Sequence, residues 1–159
     1  GGELLAKAGV AGDAEIGRAA VSRVLETGAA AERFERMVAA LGGPADFVED
    51  FEAHLREAAV VEDVLAGAEG FVSAIDTRGL GLAVVELGGG RRRPTDAIDH
   101  AVGFDQLAPL ETTVGPDTPL ARVHAATPEA AARAAERVRA AYRIGPAPEP
   151  GPLVLERVA

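Results

Sequence analysis

The sequence predicts an α+β fold in which helices come first and short strands and helices follow. Two amphipathic helix patterns lie within the first 41 residues, and β-branched runs begin only after residue 58. From there, strands and helices follow one another without a regular βαβ rhythm. We therefore expect two domains, a helical segment over residues 1–58 and an α+β domain over residues 59–159.

The N-terminal segment carries helix start and stop signals. No capping residue precedes the helical spacing of residues 3–8. Asp13 can cap a helix that runs to about Thr27, where Gly28 ends it. A second helix is predicted from about Ala30 to Leu41, followed by two glycines and a proline. These two helices are expected to form a hairpin, with an acidic connector after them.

The C-terminal segment begins with two strand patterns, AAVVEDVLA and EGFVSAI. A turn over Gly115 to Thr118 is predicted to enter a strand from Pro119 to Ala125. Thr127, with Pro128 at the first helical position, then opens an alanine-rich helix to about Tyr142. A proline-rich connector and a final edge strand, LVLERVA, complete the prediction.

Composition excludes several function classes. The chain has no cysteine, so disulfides, thiolate metal sites and cysteine nucleophiles are impossible. A net charge of −9 argues against nucleic acid as a partner. No apolar run approaches a membrane span and no signal peptide opens the chain, so we expect a soluble cytoplasmic protein that has no membrane role.

The stretch DTRGLGLAVVELGGGRRR, residues 76–93, is typical of a phosphate-binding loop at first sight. A dinucleotide-binding fingerprint would need a third glycine where this chain has Val84. A Walker loop would need Gly-Lys-Ser or Gly-Lys-Thr, but Gly90 is followed by arginine. Neither nucleotide motif is therefore present in full.

A buried helix explains this stretch better. Asp76 can cap it and Gly88 can end it, and its apolar residues lie on both sides, so burial nearly all round is expected. Gly79 and Gly81 each cost about 1 kcal/mol inside a helix, which would make sense if a neighbouring backbone came close. The three consecutive glycines are not explained by this interpretation, because one suffices to end a helix.

Two further constellations are open to a functional interpretation. Asp96, Asp99 and His100 have the spacing of ligands on one helix face, but Pro94 and the turn-rich composition favour a solvated loop. We therefore predict no metal site. The other two histidines, His54 in the connector and His124 in a predicted strand, are isolated.

Long segments of the chain resemble a known family. The run EGFVSAIDTRGLGLAVVELGGGRRRPTDAIDHAVGF, the later PLARVHA and the earlier AAERFERMVAALGGPADFVED resemble the C-terminal part of the thymidine phosphorylase and pyrimidine-nucleoside phosphorylase family. The resemblance extends from about Glu3 to Val158. It implies a homodimeric pentosyltransferase of nucleoside salvage that converts thymidine and phosphate into thymine and 2-deoxy-α-D-ribose 1-phosphate without a cofactor.

The resemblance also implies that this chain carries no catalytic residue. The family's phosphate-binding glycine-rich loop and its base-holding residues belong to the N-terminal part of those enzymes. Residues 1–58 would then end an α/β lobe, and residues 59–159 would form a β-rich, barrel-sandwich-like domain with packed helices. The implied partner is the N-terminal catalytic part of the same enzyme, which would bind thymidine and phosphate.

Two alternatives remain open for the chain itself. Arg91, Arg92 and Arg93 are candidates to assist phosphate binding electrostatically; otherwise they pair with Asp96 and Asp99 and fix a loop. The run VGPDTPLARVHA also resembles biotin and lipoate carrier domains, but the chain has no lysine beyond residue 7 to hold such a cofactor. A non-catalytic interaction module of carrier-like shape is therefore the alternative function.

Overall fold

The computed structural model describes residues 1–149, 151, 152, 154, 156 and 158. The chain divides into two compact units, which we call unit 1 (Gly1–Leu55) and unit 2 (Arg56–Ala159). The final edge strand predicted over residues 153–159 lies partly outside the described residues, because positions 153, 155, 157 and 159 are not among them. Along the described chain, no helix is long and apolar enough to cross a membrane.

Unit 1 consists of four helices: α1 (Gly2–Lys7), α2 (Ala14–Glu26), α3 (Ala29–Ala40) and α4 (Phe51–His54). The predicted start of α2 is confirmed, because the Asp13 carboxylate accepts a 2.8 Å hydrogen bond from the backbone N–H of Ile16. Gly28 separates α2 from α3 with a φ of 78°, which explains why glycine stands at this turn. Helices α2 and α3 therefore follow the predicted pattern.

The helices of unit 1 enclose almost no core. Helix α1 packs on α2 where a Cβ at Gly17 would lie 2.5 Å from the carbonyl oxygen of Gly2. In this fully described unit, no hydrophobic residue is buried. The apolar faces of its helices are instead exposed, and their largest exposed side chains include Leu4, Ile16, Leu25, Phe34, Met37 and Leu41. Unit 1 thus presents an apolar surface that its own residues leave uncovered.

Unit 2 contains two separate antiparallel sheets and two helices. Its elements are β1 (Val60–Leu65), β2 (Gly70–Ile75), α5 (Thr77–Leu87), β3 (Gly103–Asp105), β4 (Thr113–Val114), β5 (Pro119–Ala125), α6 (Pro128–Ala141) and β6 (Tyr142–Gly145). One sheet has the order β1-β5-β3 and the other has the order β4-β2-β6. The predicted mixture of helices and strands is confirmed. A closed barrel is not seen, because each sheet of the described residues remains open with three strands.

Both sheets of unit 2 contribute to one core. Val64 of β1, Val72 of β2, Leu120 and Val123 of β5 and Val138 of α6 are each no more than 1% exposed. Helix α6 reaches this core through a stripe of small side chains, which lets it lie close to β5. Its predicted cap is confirmed, because the Thr127 hydroxyl accepts a hydrogen bond from the backbone N–H of residue 130.

Candidate functional site: the glycine–arginine segment

Helix α5 leads into residues 88–100, which contain the run of three glycines and the run of three arginines and which we call the glycine–arginine segment. The predicted Asp76 cap is confirmed, with its Oδ1 2.9 Å from the N–H of Gly79. Gly88 ends the helix with a φ of 99°, a conformation that favours glycine. The N–H groups of Gly88 and Gly89 donate to the carbonyl oxygens of Val85 and Val84, so the last turn is closed by backbone hydrogen bonds.

The second and third glycines are required by close packing. A Cβ at Gly89 would lie 2.9 Å from Cγ1 of Val84 and 3.1 Å from the carbonyl oxygen of Val102. A Cβ at Gly90 would lie 2.7 Å from Cγ2 of Val85. Within this run, Gly88 is explained by its backbone conformation, and Gly89 and Gly90 are explained by close contacts at their Cα positions. The segment folds back so closely on the end of α5 that a side chain at position 89 or 90 would force Val84 or Val85 to shift.

The earlier glycines of α5 have a different explanation from the one expected. Gly81 has open space around it, and a Cβ at Gly79 would meet the capping carboxylate of Asp76 rather than a neighbouring backbone. The expectation that a backbone approaches both glycines is therefore wrong. Burial on nearly all sides is also wrong, because Leu82 is 55% exposed while Leu80 is buried.

Aspartates hold the backbone of the glycine–arginine segment. Oδ2 of Asp96 accepts hydrogen bonds from the backbone N–H groups of Arg92 and Arg93, at 3.1 and 2.9 Å. The N–H of Asp99 donates to the carbonyl oxygen of Gly88 at 2.9 Å, and this bond joins the two ends of the segment. The path of the chain is thus fixed by short polar contacts.

The arginine side chains themselves are exposed. The alternative that Arg91, Arg92 and Arg93 pair with Asp96 and Asp99 is wrong, since among the described residues no ion pair or side-chain hydrogen bond joins them. Asp96 contacts their backbone instead. The segment therefore presents three guanidinium groups to solvent from a fixed backbone, an arrangement that can attract an anion without enclosing it.

The remaining candidates lie apart from one another. Asp96, Asp99 and His100 lie in an irregular loop rather than on a helix, and within the described residues no three metal-ligating side chains come together. His54 pairs with a nearby aspartate of unit 1 at 2.9 Å. His124 pairs with Asp105 on the neighbouring strand at 3.2 Å. His54 and His124 thus each have a carboxylate partner near the surface.

A shallow hollow between α5 and α6 was not predicted. It has a volume of about 340 Å³ and is lined by Asp76, Gly79, Leu82, Ala83, Glu86, Arg137, Ala140 and Ala141. Arg137 of α6 donates two hydrogen bonds to Glu86 of α5 at one side of it. The only sequence signal for this feature is the run of small residues on both helices, which is equally typical of close helix packing.

Comparisons with known proteins find similarity over one domain of unit 2 and over nearly the whole chain. The sequence profile of the pyrimidine nucleoside phosphorylase C-terminal domain matches residues 71–145, from β2 to the end of β6. A thymidine phosphorylase of Burkholderia lata is 47% identical over 156 residues, and one of Sinorhizobium medicae is 48% identical over 157 residues. These matches cover 98% of this chain but only 36% of each relative, so the chain spans about a third of their length. The matched residues include the whole glycine–arginine segment, and they show that residues 71–145 resemble the pyrimidine nucleoside phosphorylase C-terminal domain and that nearly the whole chain is similar to the C-terminal portion of these thymidine phosphorylases.

Proposed function

We propose that this chain is the non-catalytic C-terminal portion of an enzyme that converts thymidine and phosphate into thymine and 2-deoxy-α-D-ribose 1-phosphate. The observation that carries the proposal is the identity of 47 to 48% with two proteins named thymidine phosphorylase over nearly the whole chain. The longer enzyme would be a homodimer in the cytoplasm, with phosphate as a co-substrate and no cofactor. We propose that its N-terminal part binds both substrates.

The chemistry of the chain supports a non-catalytic role. Phosphorolysis needs cations that hold phosphate and donors that stabilise the charge developing on the departing base. Lys7 is the chain's only lysine, and it lies in α1. The exposed guanidinium groups of Arg91–Arg93 lie on a surface segment rather than in an enclosed pocket. We infer that catalysis depends on residues supplied by the rest of the enzyme.

The structure of unit 1 supports a role in completing a larger lobe. Its helices expose large apolar side chains and bury no hydrophobic residue, a state that costs stability unless another surface covers them. We propose that residues 1–58 belong to the end of an α/β lobe and that residues 59–159 form a C-terminal domain. The single core shared by both sheets supports a barrel-sandwich-like description of that domain.

Phosphate-dependent release of thymine from thymidine tests this function. The purified 159-residue chain is assayed beside the longer enzyme at equal molarity. We expect turnover by the longer enzyme and none by the chain. Turnover by the chain alone would contradict the non-catalytic role, and absence of thymidine turnover in the folded longer enzyme would contradict the proposed substrate.

We also propose that Arg91, Arg92 and Arg93 assist phosphate binding in the longer enzyme. Their charges lie on a backbone fixed by Asp96 and would raise the local concentration of anions. In the longer enzyme, the triple replacement of these arginines by alanine is compared with Arg78→Ala, which removes an exposed arginine from the start of α5. We expect the KM for phosphate to rise several-fold in the triple variant only. Added salt should reduce the difference in KM between this variant and the unmodified enzyme. An unchanged KM would exclude this role.

A further inference from the structure

The loop between β3 and β4, residues 106–112, exposes two leucines on a backbone that is hydrogen-bonded to the rest of unit 2. Leu107 is 44% exposed and Leu110 is 51% exposed, and Ala108 between them is buried in the core of unit 2. The loop thus presents a pair of large apolar side chains while the buried Ala108 anchors it. A loop that only connected two strands would gain nothing from exposing both.

Hydrogen bonds fix this loop to three strands. The N–H of Ala108 donates to the carbonyl oxygen of Leu120 at 2.8 Å, and the Tyr142 hydroxyl donates to the carbonyl oxygen of Ala108 at 3.0 Å. On the other side, the N–H of Glu111 donates to the carbonyl oxygen of Val72 at 3.0 Å. The two leucines are therefore presented from a preorganised backbone, which lowers the entropy lost on docking.

The backbone of this loop is also strained. Gln106 has a φ of 50° and Glu111 has a φ of 70°, and these are the only non-glycine residues with positive φ among those that the structure describes. Each such conformation costs about 1 kcal/mol or more, and strain of this kind is retained mainly where a specific shape is needed. Both strained positions flank the leucine pair.

The charges around the loop indicate the kind of surface that would cover it. Residues 94–121 contain five carboxylates and no lysine or arginine. Of the two carboxylates nearest the leucines in sequence, Asp105 pairs with His124 and faces Arg122 on β5, whereas Glu111 is exposed next to Leu110. An apolar surface with a basic rim would complement this face. A second copy of the chain is a poor match because its net charge is −9. The relatives are about three times longer than this chain, so a large part of the family's protein lies outside it.

We propose that Leu107 and Leu110 dock into an apolar socket with a basic rim on the part of the longer enzyme that lies outside these 159 residues. The proposal rests on the proposed function only in placing this chain within a longer protein. Docking would fix the C-terminal domain through a surface of unit 2 that is distinct from the apolar helices of unit 1.

Thiol labelling tests this docking, because the chain has no cysteine of its own. Leu107→Cys and Leu110→Cys are made singly in the 159-residue chain and in the longer enzyme, whose other cysteines are replaced by serine. Asp117→Cys, on an exposed turn of the same domain, is the matched control. We expect labelling of both leucine positions to be at least tenfold slower in the longer enzyme than in the chain, with equal rates at residue 117.

The other outcomes overturn the proposal. Equal labelling rates in the two proteins would mean that the leucines stay exposed. Slow labelling already in the 159-residue chain would assign the cover to a second copy if it depends on chain concentration, and to unit 1 if it does not. Thymidine turnover of each variant of the longer enzyme is measured in parallel, so loss of the proposed activity is recognised separately from loss of protection.

Discussion

Arg137 of α6 donates two hydrogen bonds to Glu86 of α5, with Nε 3.0 Å from Oε2 and Nη2 3.0 Å from Oε1. The two side chains are 60% and 39% exposed, so water screens much of their attraction. This ion pair therefore contributes to the register of the two helices more than to their stability.

A double-mutant cycle with Glu86→Gln and Arg137→Gln is expected to give a coupling energy of about 0.5–1 kcal/mol. Urea unfolding followed by the fluorescence of Tyr142 is a suitable measurement, since this is the sole tyrosine in a chain without tryptophan and it lies in unit 2. Raising the salt concentration should reduce the coupling. A coupling well above 2 kcal/mol would show that the pair is shielded from solvent.

The glycines of the α5 region are predicted to differ sharply in their tolerance of alanine. Gly89→Ala should lower the free energy of unfolding of unit 2 by about 1–3 kcal/mol, because its Cβ would crowd both Val84 and the backbone at Val102. Gly81→Ala, in open space within the same helix, should raise it by up to about 1 kcal/mol. The same urea measurement compares them. Equal effects at the two positions would contradict the packing explanation for the glycine run.

Local signals in the sequence predicted the helix starts and stops well. The side chains of Asp13, Asp76 and Thr127 each accept a hydrogen bond from a backbone N–H three residues ahead, and such caps need nothing beyond a few neighbouring residues. The turn before β5 is equally local, since Gly115 and Thr118 bond to each other. Features determined within one turn of chain could therefore be predicted.

Features that depend on distant partners could not be predicted. Strands β3 and β4 contain three and two residues, too few to show an alternating pattern. The need for glycine at position 89 arises from Val102, which reaches it only after the chain folds back. The predicted ion pair between the arginines and Asp96 was likewise wrong. The Asp96 carboxylate accepts hydrogen bonds from the backbone N–H groups of Arg92 and Arg93, and this contact could not be read from residue spacing.

Tyr142 should make unit 2 less stable at high pH. Burial raises the pKa of its hydroxyl above the ordinary value of 10.0, and the hydroxyl donates to Ala108 in its neutral form. The folded protein thus holds this proton more tightly than the unfolded chain does. Its contribution to stability is complete below about pH 10 and is lost as the pH rises from there through the folded pKa.

Two measurements check this pH dependence. Tyrosinate absorbance, which reports this residue alone, should show a midpoint above 10.0 in the folded chain and a lower one in urea. Urea unfolding followed by circular dichroism should show that Tyr142→Phe removes this part of the alkaline loss of stability. A folded midpoint at or below that of the unfolded chain would contradict the buried, hydrogen-bonded hydroxyl.

Glu111→Gly is predicted to stabilise unit 2 by about 0.5–1 kcal/mol. Glu111 has a φ of 70°, where a side chain is strained, and glycine adopts this conformation freely. Part of the gain is offset because glycine makes the unfolded chain more flexible. The hydrogen bond from this backbone N–H to Val72 does not involve the side chain and is retained.

Glu111→Ala is the matched control, since it removes the carboxylate and keeps the strained Cβ. By urea unfolding, the alanine variant should be less stable than the glycine variant by about 1 kcal/mol. If the alanine variant equalled or exceeded the glycine variant, the loop backbone would be unstrained at this position, and the argument that its shape is held for docking would lose one of its supports.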